Sequence, residues 1–311
     1  MRRERGVALL AAIVIFAIAA AIAVGIQFRS ALALRRAAGG ASLDQALLAQ
    51  GGAEAVAAWA LADDDMRTDA LTDKWHVAQA PVELVDGVSV AGQVSDLDGR
   101  FNLNSLVDNK GAKDPPAVEI LQRLLRTLDI PQQKADAIVD YIDSDQQSEP
   151  NGGEDSLYSG QQQPSRPPNR PMLQVSELLA IPQIGIEHYL RLLPHVTALP
   201  RDRREINLCT ASGALLDALV DQRLWSVNAQ SLEAQRKSGC YPTTAQFEAL
   251  FTANPAEYQK IKSRIGVQSN FFELRSVVTI GSQPFEFTSL LLRTAGGTRP
   301  EVRVLTRTMA D

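Results

Sequence analysis

Apolar positions fall into four regimes along the 311 residues. Residues 7–28 carry no charged side chain and are apolar on every face, and about 20 such residues are what a helix needs to cross a bilayer core. Residues 43–62, "LDQALLAQGGAEAVAAWALA", are instead amphipathic: Leu43, Leu47, Ala53, Val56, Ala57 and Ala60 fall near one stripe at i, i+3, i+4 spacing. The two stretches predict one long helix from about residue 7 to 62, weakened and open to bending at Gly39-Gly40 and Gly51-Gly52. Residues 82–104, "VELVDGVSVAGQVSDLDGRFNLN", then alternate with period two around Asp86-Gly87 and Asp98-Gly99, both hairpin-turn signals, and predict two or three strands. From 115 to 265 the period becomes helical, in "PAVEILQRLLRTLDIP", "QQKADAIVDYID", "VSELLAIPQIGIEHYLRLL", "ASGALLDALVDQ", "SLEAQRKSG", "TAQFEALF" and "PAEYQKIKSRIG". A long polar loop, "SDQQSEPNGGEDSLYSGQQQPSRPPNRP", interrupts it. The chain closes on three alternating runs, "FFELRSVVTIG", "FEFTSLLLRTA" and "EVRVLTRT".

This order, long helix, strands, helices, strands, leaves a choice. Three domains in a row would strand the C-terminal strands with unpaired edges. A sheet begun before residue 104 and finished after 268 makes the helical block an insertion, and this is the reading we adopt: an α+β fold with a long N-terminal helix packed on an antiparallel sheet and a large inserted all-helical domain. The expected divisions are a leader at 1–6, a transmembrane helix at 7–28, helix continuation and first strands at 29–104, the insertion at 105–266 in two units (about 105–200 and 201–266), and closing strands at 267–311.

Composition changes little but excludes something. With 45% hydrophobic and 22% charged residues the chain is an ordinary folding protein, and a net charge of −5 argues against a nucleic-acid binder. The N-terminus is more informative. Arg2, Arg3 and Arg5 precede the apolar run, which places the N-terminus in the cytoplasm and the bulk of the chain outside. A cleaved export signal would have a shorter apolar region of roughly 7–15 residues.

A short basic leader, Gly6 directly before an apolar helix, and that helix running into a globular domain resemble the type IV pilins and the pseudopilins of type II secretion. The resemblance implies cleavage after Gly6 by a prepilin peptidase and methylation of the new N-terminus, Val7. Most such proteins carry Glu at the fifth mature position, which is Ala11 here. A carboxylate in an apolar helix is costly without a partner, and a subunit with nothing above it would have no amine to neutralise. Loss of that Glu, together with "DLDGRFNLNSL" (96–106), "DAIVDYIDSDQQSEPNGGEDSLYS" (136–159), "PNRPMLQVSELLAI" (168–181) and "VTALPRDRREINLCTASGALLDAL" (196–219), is similar to the K-type minor pseudopilins of type II secretion. That resemblance implies a pilin-like fold with a SAM-like helical insertion and a non-enzymatic subunit capping the pseudopilus tip. It also implies partners: other minor pseudopilins, the major pseudopilin, the inner-membrane assembly platform, and the secretin or cargo. A minor pilin of a type IV pilus or of a DNA-uptake system is the alternative.

Four places invite chemistry. "DLDGRF" has the look of a calcium loop, but with Gly99 as sixth residue Val94 is first, so the EF-hand register fails and a tight turn between strands is expected. The loop 140–155 gathers Asp140, Asp143, Asp145, Glu149, Glu154 and Asp155. It is either a solvated acidic loop or a site for a hard cation; the resemblance favours structural calcium held by Asp143, Asp145, Glu154 and Asp155, with Asp140 and Glu149 as further candidates. "LLAIPQIG" (178–185) resembles a DNA-binding helix-hairpin-helix, but Gln183 replaces its first Gly and "RDRR" (201–204) is the nearest basic knot, so a packing turn is expected. Cys209 and Cys240 are separate thiols or a disulfide on sequence alone; a periplasmic placement, which the resemblance implies, favours the disulfide. His76, His188 and His195 are read as surface or core residues with no Ser–His–Asp arrangement.

Overall fold

A computed structural model describes residues 4–77, 79–160, 164–203, 205–297 and 299–309; Arg2 and Arg3 lie outside the described residues. Helix α1 (Glu4–Ala62) is a single unbroken helix of 59 residues. The glycine pairs do not interrupt it, because flanking alanines and leucines carry the helix through. Strands β1 (Gln79–Val85), β2 (Val88–Asp96), β7 (Phe271–Ile280), β8 (Gln283–Thr294) and β9 (Glu301–Met309) form one antiparallel sheet in the order β1-β2-β7-β8-β9. Between β2 and β7 come β3 (Phe101–Asn102), α2 (Pro115–Thr127), α3 (Lys134–Ile142), α4 (Asp155–Ser159), α5 (Gly185–Leu192), β4 (Val196–Thr197), β5 (Ile206–Asn207), α6 (Gly213–Val220), α7 (Ala229–Arg236), α8 (Thr244–Ala249), α9 (Pro255–Ile261) and β6 (Ile265–Gly266).

The sheet is therefore built from both ends of the chain. Central strands β2 and β7 pair without a slip from Val88↔Ile280 to Asp96↔Phe272, and the chain departs at Leu97, whose N–H donates to the Phe271 carbonyl at 2.9 Å. The Asp86-Gly87 signal is a true hairpin, with Gly87 at φ +76. The Asp98-Gly99 signal is not: it marks the exit into the helical block, where β3 pairs in parallel with β4. A side chain at Gly99 would meet the Thr210 hydroxyl at 2.4 Å, so the glycine serves close packing against the segment before α6.

Helix α1 lies chiefly on β7, β8 and β9 and reaches β2. Its inner face is Ala46, Ala49, Gln50, Glu54, Ala57 and Leu61, all buried. This corrects the expected stripe: Val56 points outward, 62% exposed, and two polar residues take core positions. They do so because a hydrogen-bond ladder satisfies them. Ser276 Oγ donates to Gln50 Oε1, Gln50 Nε2 donates to Ser289 Oγ at 3.1 Å, and Ser289 Oγ donates to Glu54 Oε1 at 2.6 Å. The helical block has its own apolar core, running without a break from Phe101 through Leu121, Ile138, Leu215 and Phe247 to Ile265, with α2 packed on α6.

Candidate functional sites

Three features stand out as sites: an uncovered helix face with its groove, a carboxylate loop, and the junction between sheet and insertion. Along residues 7–40 no side chain of α1 is buried. The helix is long and apolar enough to cross a membrane, and a helix apolar on all sides requires an apolar surround. Gly6 and Val7 lie in its first turns. The outer face of its last four turns stays apolar, with Leu48, Val56 and Trp59 exposed. Because α1 sits towards β7–β9, the helix-side face of β1 is left exposed and that of β2 is only partly covered. Val56, Trp59, Val77, Val82, Leu84 and Val90 wall a groove of about 690 Å³ between helix and strand. Exposed apolar surface of this extent marks an interaction site rather than a solvated face.

The carboxylate loop follows α3. Asp140, wholly buried on that helix, accepts the Glu149 amide at 3.1 Å and the Gly153 amide at 2.6 Å. Asp136, one turn earlier, accepts from the Asn151 side chain at 2.8 Å. A side chain at Gly152 would strike Asp140 Oδ2 at 2.0 Å, which is why the loop needs glycine there. These contacts wrap the loop so that Asp143, Asp145 and Glu154 each bring an oxygen within 4.8 Å of the others. Asp143 and Glu154 are 4% and 5% exposed, yet Asp143 Oδ1 and both Glu154 carboxylate oxygens have no hydrogen-bond partner. Burial, then Asp145, Asp140, Glu154 and Glu149, pushes Asp143 up to about 7. Burial and neighbouring carboxylates raise Glu154 too, opposed by the Asn169 carboxamide beside it. Buried carboxylates that repel one another and lack donors are a place that could take up a cation. The donors are hard oxygens in a loop of adjustable geometry, which fits calcium.

The sequence-expected ligands thus separate. Asp143, Asp145 and Glu154 converge, Asp140 organises the loop through backbone amides, and Glu149 pairs with Lys113 at 2.7 Å. The Asp155 carboxylate faces Arg166 at 3.6 Å instead of joining the three. Asn169, not singled out by the sequence, donates from Nδ2 to the Asp145 carbonyl at 2.9 Å. A second acidic group, Asp64, Asp69 and Asp73, already has its cation: the buried Arg293 guanidinium pairs with Asp69 at 2.5 Å and rests over the Phe272 ring.

At the junction, the two aspartates of "DLDG" are occupied by protein groups. Asp98 receives a two-pronged bond from Arg203, at 2.9 and 3.0 Å, and the Asn270 and Phe271 amides. Asp96 accepts from Asn207, Ser269 and Thr210, and Asn207 also holds the Asp69 carbonyl and Ser269 Oγ. Arg201 is likewise used internally, donating to the Ile142 carbonyl, so Arg201 and Arg203 of the basic knot are spent on the fold; Arg204 lies outside the described residues. Ile181 and Ile184 of the hairpin-like turn are buried in the core.

Residues 99–201 match the family model for "Type II secretion system (T2SS), protein K". Type II secretion system protein K of Pseudomonas aeruginosa is 31% identical, over 100% of this chain and 95% of its own. That of Pectobacterium carotovorum subsp. carotovorum is 30% identical over 93% and 92%. The chain belongs to the type II secretion system protein K family. Among solved structures, the GspK-GspI-GspJ complex from the enterotoxigenic Escherichia coli Type 2 Secretion System superposes with a TM-score of 0.77 at 27% identity, covering 89% of this chain and 99% of that one.

The protein K family is a structural component of the secretion machine. One Ser–His contact does form, against expectation: His195 Nδ1 lies 2.7 Å from Ser212 Oγ. But Ser212 Oγ caps α6 by accepting the Leu215 amide, and among the described residues no carboxylate bonds His195. Burial and the Arg100 charge lower the His195 pKa, keeping the ring neutral as a core residue. Cys209 and Cys240 are joined in a disulfide, Cα atoms 4.5 Å apart.

Proposed function

We propose that this minor pseudopilin of type II secretion caps the pseudopilus tip without enzymatic activity, initiating assembly with other minor pseudopilins. Prepilin peptidase removes residues 1–6 and the mature N-terminus, Val7, is methylated. The chain then sits in the inner membrane with its N-terminus cytoplasmic and its globular part periplasmic. The observation that carries this reading is the uncovered apolar face of α1, which continues into the groove beside β1 while a bulky helical block rises from the other end of the sheet. Such a helix is made to lie against helices of its own kind, and a subunit widened by an insertion of this size fits at the end of a helical stack better than within it. The GspK relative is found with GspI and GspJ, and the corresponding partners of this chain would be seated along α1 and the groove. The major pseudopilin and the assembly platform would follow below, with the secretin or cargo meeting the insertion. Calcium, held by Asp143, Asp145 and Glu154, would supply the charge that lets the loop stay folded.

The test is co-purification of the full chain with its co-expressed minor pseudopilins. Trp59→Glu and Val56→Arg should abolish the complex while leaving the melting temperature unchanged; retention of the complex would sink the reading. Gly6→Ala should accumulate uncleaved precursor. The DNA-uptake alternative predicts salt-sensitive DNA binding by the full chain, whereas the secretion reading predicts none.

A further inference from the structure

We propose that the cleft between α2 and α9 receives the carboxyl terminus of a second polypeptide ending in an apolar residue, with Arg123 as the anchor for its carboxylate. The cleft has a volume of about 260 Å³ and is walled by α2, the end of α6, the turn after α8, and α9. Arg123 lines it, and the Arg123 Nε is buried with no hydrogen-bond partner. Other cations of the same surface are taken: Arg126 pairs with Asp221, Lys260 with Glu257 at 2.7 Å, and Arg264 with Asp114 at 2.6 Å. Among the described residues no ion pair forms to Arg123, although Glu119 lies one turn earlier on α2. A buried guanidinium donor left open costs free energy until an acceptor meets it. Asn254, directly before α9, lines the same cleft and makes no side-chain cap bond, so a second donor stands beside the first.

The rest of the lining decides which acceptor fits. Leu219, Phe251 and Ile261 are buried and line the cleft, so an apolar wall stands beside the guanidinium. The volume is at the small end for a ligand pocket and suits one residue rather than a cofactor. A carboxylate matches the planar fork of a guanidinium. Only a chain terminus carries a carboxylate and an apolar side chain on one carbon, and so meets Arg123 and the apolar wall from a single residue. Glu119, Asp221 and Glu257 also line the cleft. That negative rim repels a phosphate dianion, a nucleic-acid backbone or an acidic run, and admits a single charge. Strand β9 leads away from the insertion, from Glu301 opposite Thr294 to Met309 opposite Phe287, so the ligand belongs to another molecule. Binding is a property of the insertion and does not depend on where the subunit sits in the secretion machine.

Calorimetric titration of the full chain in detergent micelles with acetyl-alanyl-alanyl-leucine, as the free acid and as its C-terminal amide, tests the assignment. The free acid should bind in the millimolar range or tighter, and the amide about tenfold more weakly. Arg123→Gln should weaken the free acid to the level of the amide at an unchanged melting temperature, because Arg123 makes no bond that the fold would lose. Glu119→Gln removes a repelling charge and should tighten the free acid about twofold. Inorganic phosphate should fail to displace the peptide. Equal binding of acid and amide, no binding of the free acid by the wild type, or wild-type affinity in Arg123→Gln overturns the proposal. Displacement by phosphate overturns it in favour of a simple anion site. If Arg123→Gln does not fold, the comparison of acid with amide and the Glu119→Gln variant decide.

Discussion

Glu54 on the first helix and Arg307 on the last strand, 253 positions apart, form a two-pronged ion pair that fastens α1 to the edge of the sheet. Burial pushes the Glu54 carboxyl up, but bonds from Arg307, Ser289 and Gln50 more than reverse it and hold it below its ordinary value of 4.5. A folded-state pKa below the unfolded one means that the unfolded chain binds the extra proton. The stabilisation is therefore complete above the unfolded value and is lost as pH falls through the folded one. Glu54→Leu should cost about 1–3 kcal/mol, since Arg307 is partly exposed and recovers water while Ser289 and Gln50 lose a partner. Thermal unfolding of wild type and variant from pH 7 to 3 checks both statements: the wild type should lose stability below about pH 4.5 more steeply than the variant.

The same pair shows where sequence reading stops. Local signals survive the passage to structure: the long helix α1, though without the bend its glycine pairs suggested, and the last three strands follow from apolar spacing, and the hairpin at Asp86-Gly87 from its turn residues. The inner face of α1 does not, because Gln50 and Glu54 become core residues only when Ser276, Ser289 and Arg307 arrive from the other end of the chain. At Asp98-Gly99 the turn signal was legible but not its use, which depends on Arg203 and Thr210. In the loop, acidic composition left a solvated loop and a cation site both open, and the resemblance favoured Asp143, Asp145, Glu154 and Asp155. That Asp140 would be spent on backbone amides and Asp155 on Arg166 depends on how the loop wraps, which carboxylate spacing does not encode.

Charge removal in the carboxylate loop should have opposite effects with and without calcium. In chelator, Asp143→Asn relieves repulsion among buried carboxylates and should melt at or above the wild-type temperature. With calcium in excess it should melt lower, because ion binding stabilises only a chain that keeps the site; the wild type gains about 2.7 kcal/mol at a hundred times the dissociation constant. Paired melting curves of the full chain in chelator and in calcium read this directly. An identical offset in both conditions would refute a cation role for the loop.

The Cys209–Cys240 bond closes a separation of 31 residues, worth about 3–4 kcal/mol by loop-closure entropy. A second tie spans the same segments. The buried Arg236 guanidinium donates to the carbonyls of Leu208, Ala211 and Tyr241, and burial lowers its pKa to about 10. The double variant Cys209→Ala, Cys240→Ala should therefore stay folded with a lower urea midpoint, whereas adding Arg236→Met should unfold the second half of the insertion. Circular dichroism during urea titration distinguishes the two.

A tip domain is useful only if its orientation is fixed relative to the helix that holds it, and Asn207 is the residue best placed to fix it. It is fully buried, and its one side-chain amide faces the Asp69 carbonyl after α1, Asp96 at the end of β2 and Ser269 before β7. Three segments of the pilin-like part thus converge on a single residue of the insertion, and the Arg203–Asp98 pair repeats the connection close by. Asn207→Leu would take one donor from each of those acceptors, although Asp96 keeps Ser269 and Thr210, and at about 1–3 kcal/mol for each lost bond a net loss of about 2–4 kcal/mol is expected after relaxation. Arg203→Leu should cost less in stability, because its guanidinium is nearer solvent, but should free the insertion to move against the sheet. Hydrogen exchange of the full chain is the decisive measurement. Faster exchange confined to the amides of Leu97, Asn270 and Phe271 in Arg203→Leu, with the helical core still protected, is the expected pattern, and uniform exchange across the molecule would show that the junction is not a separate mechanical element.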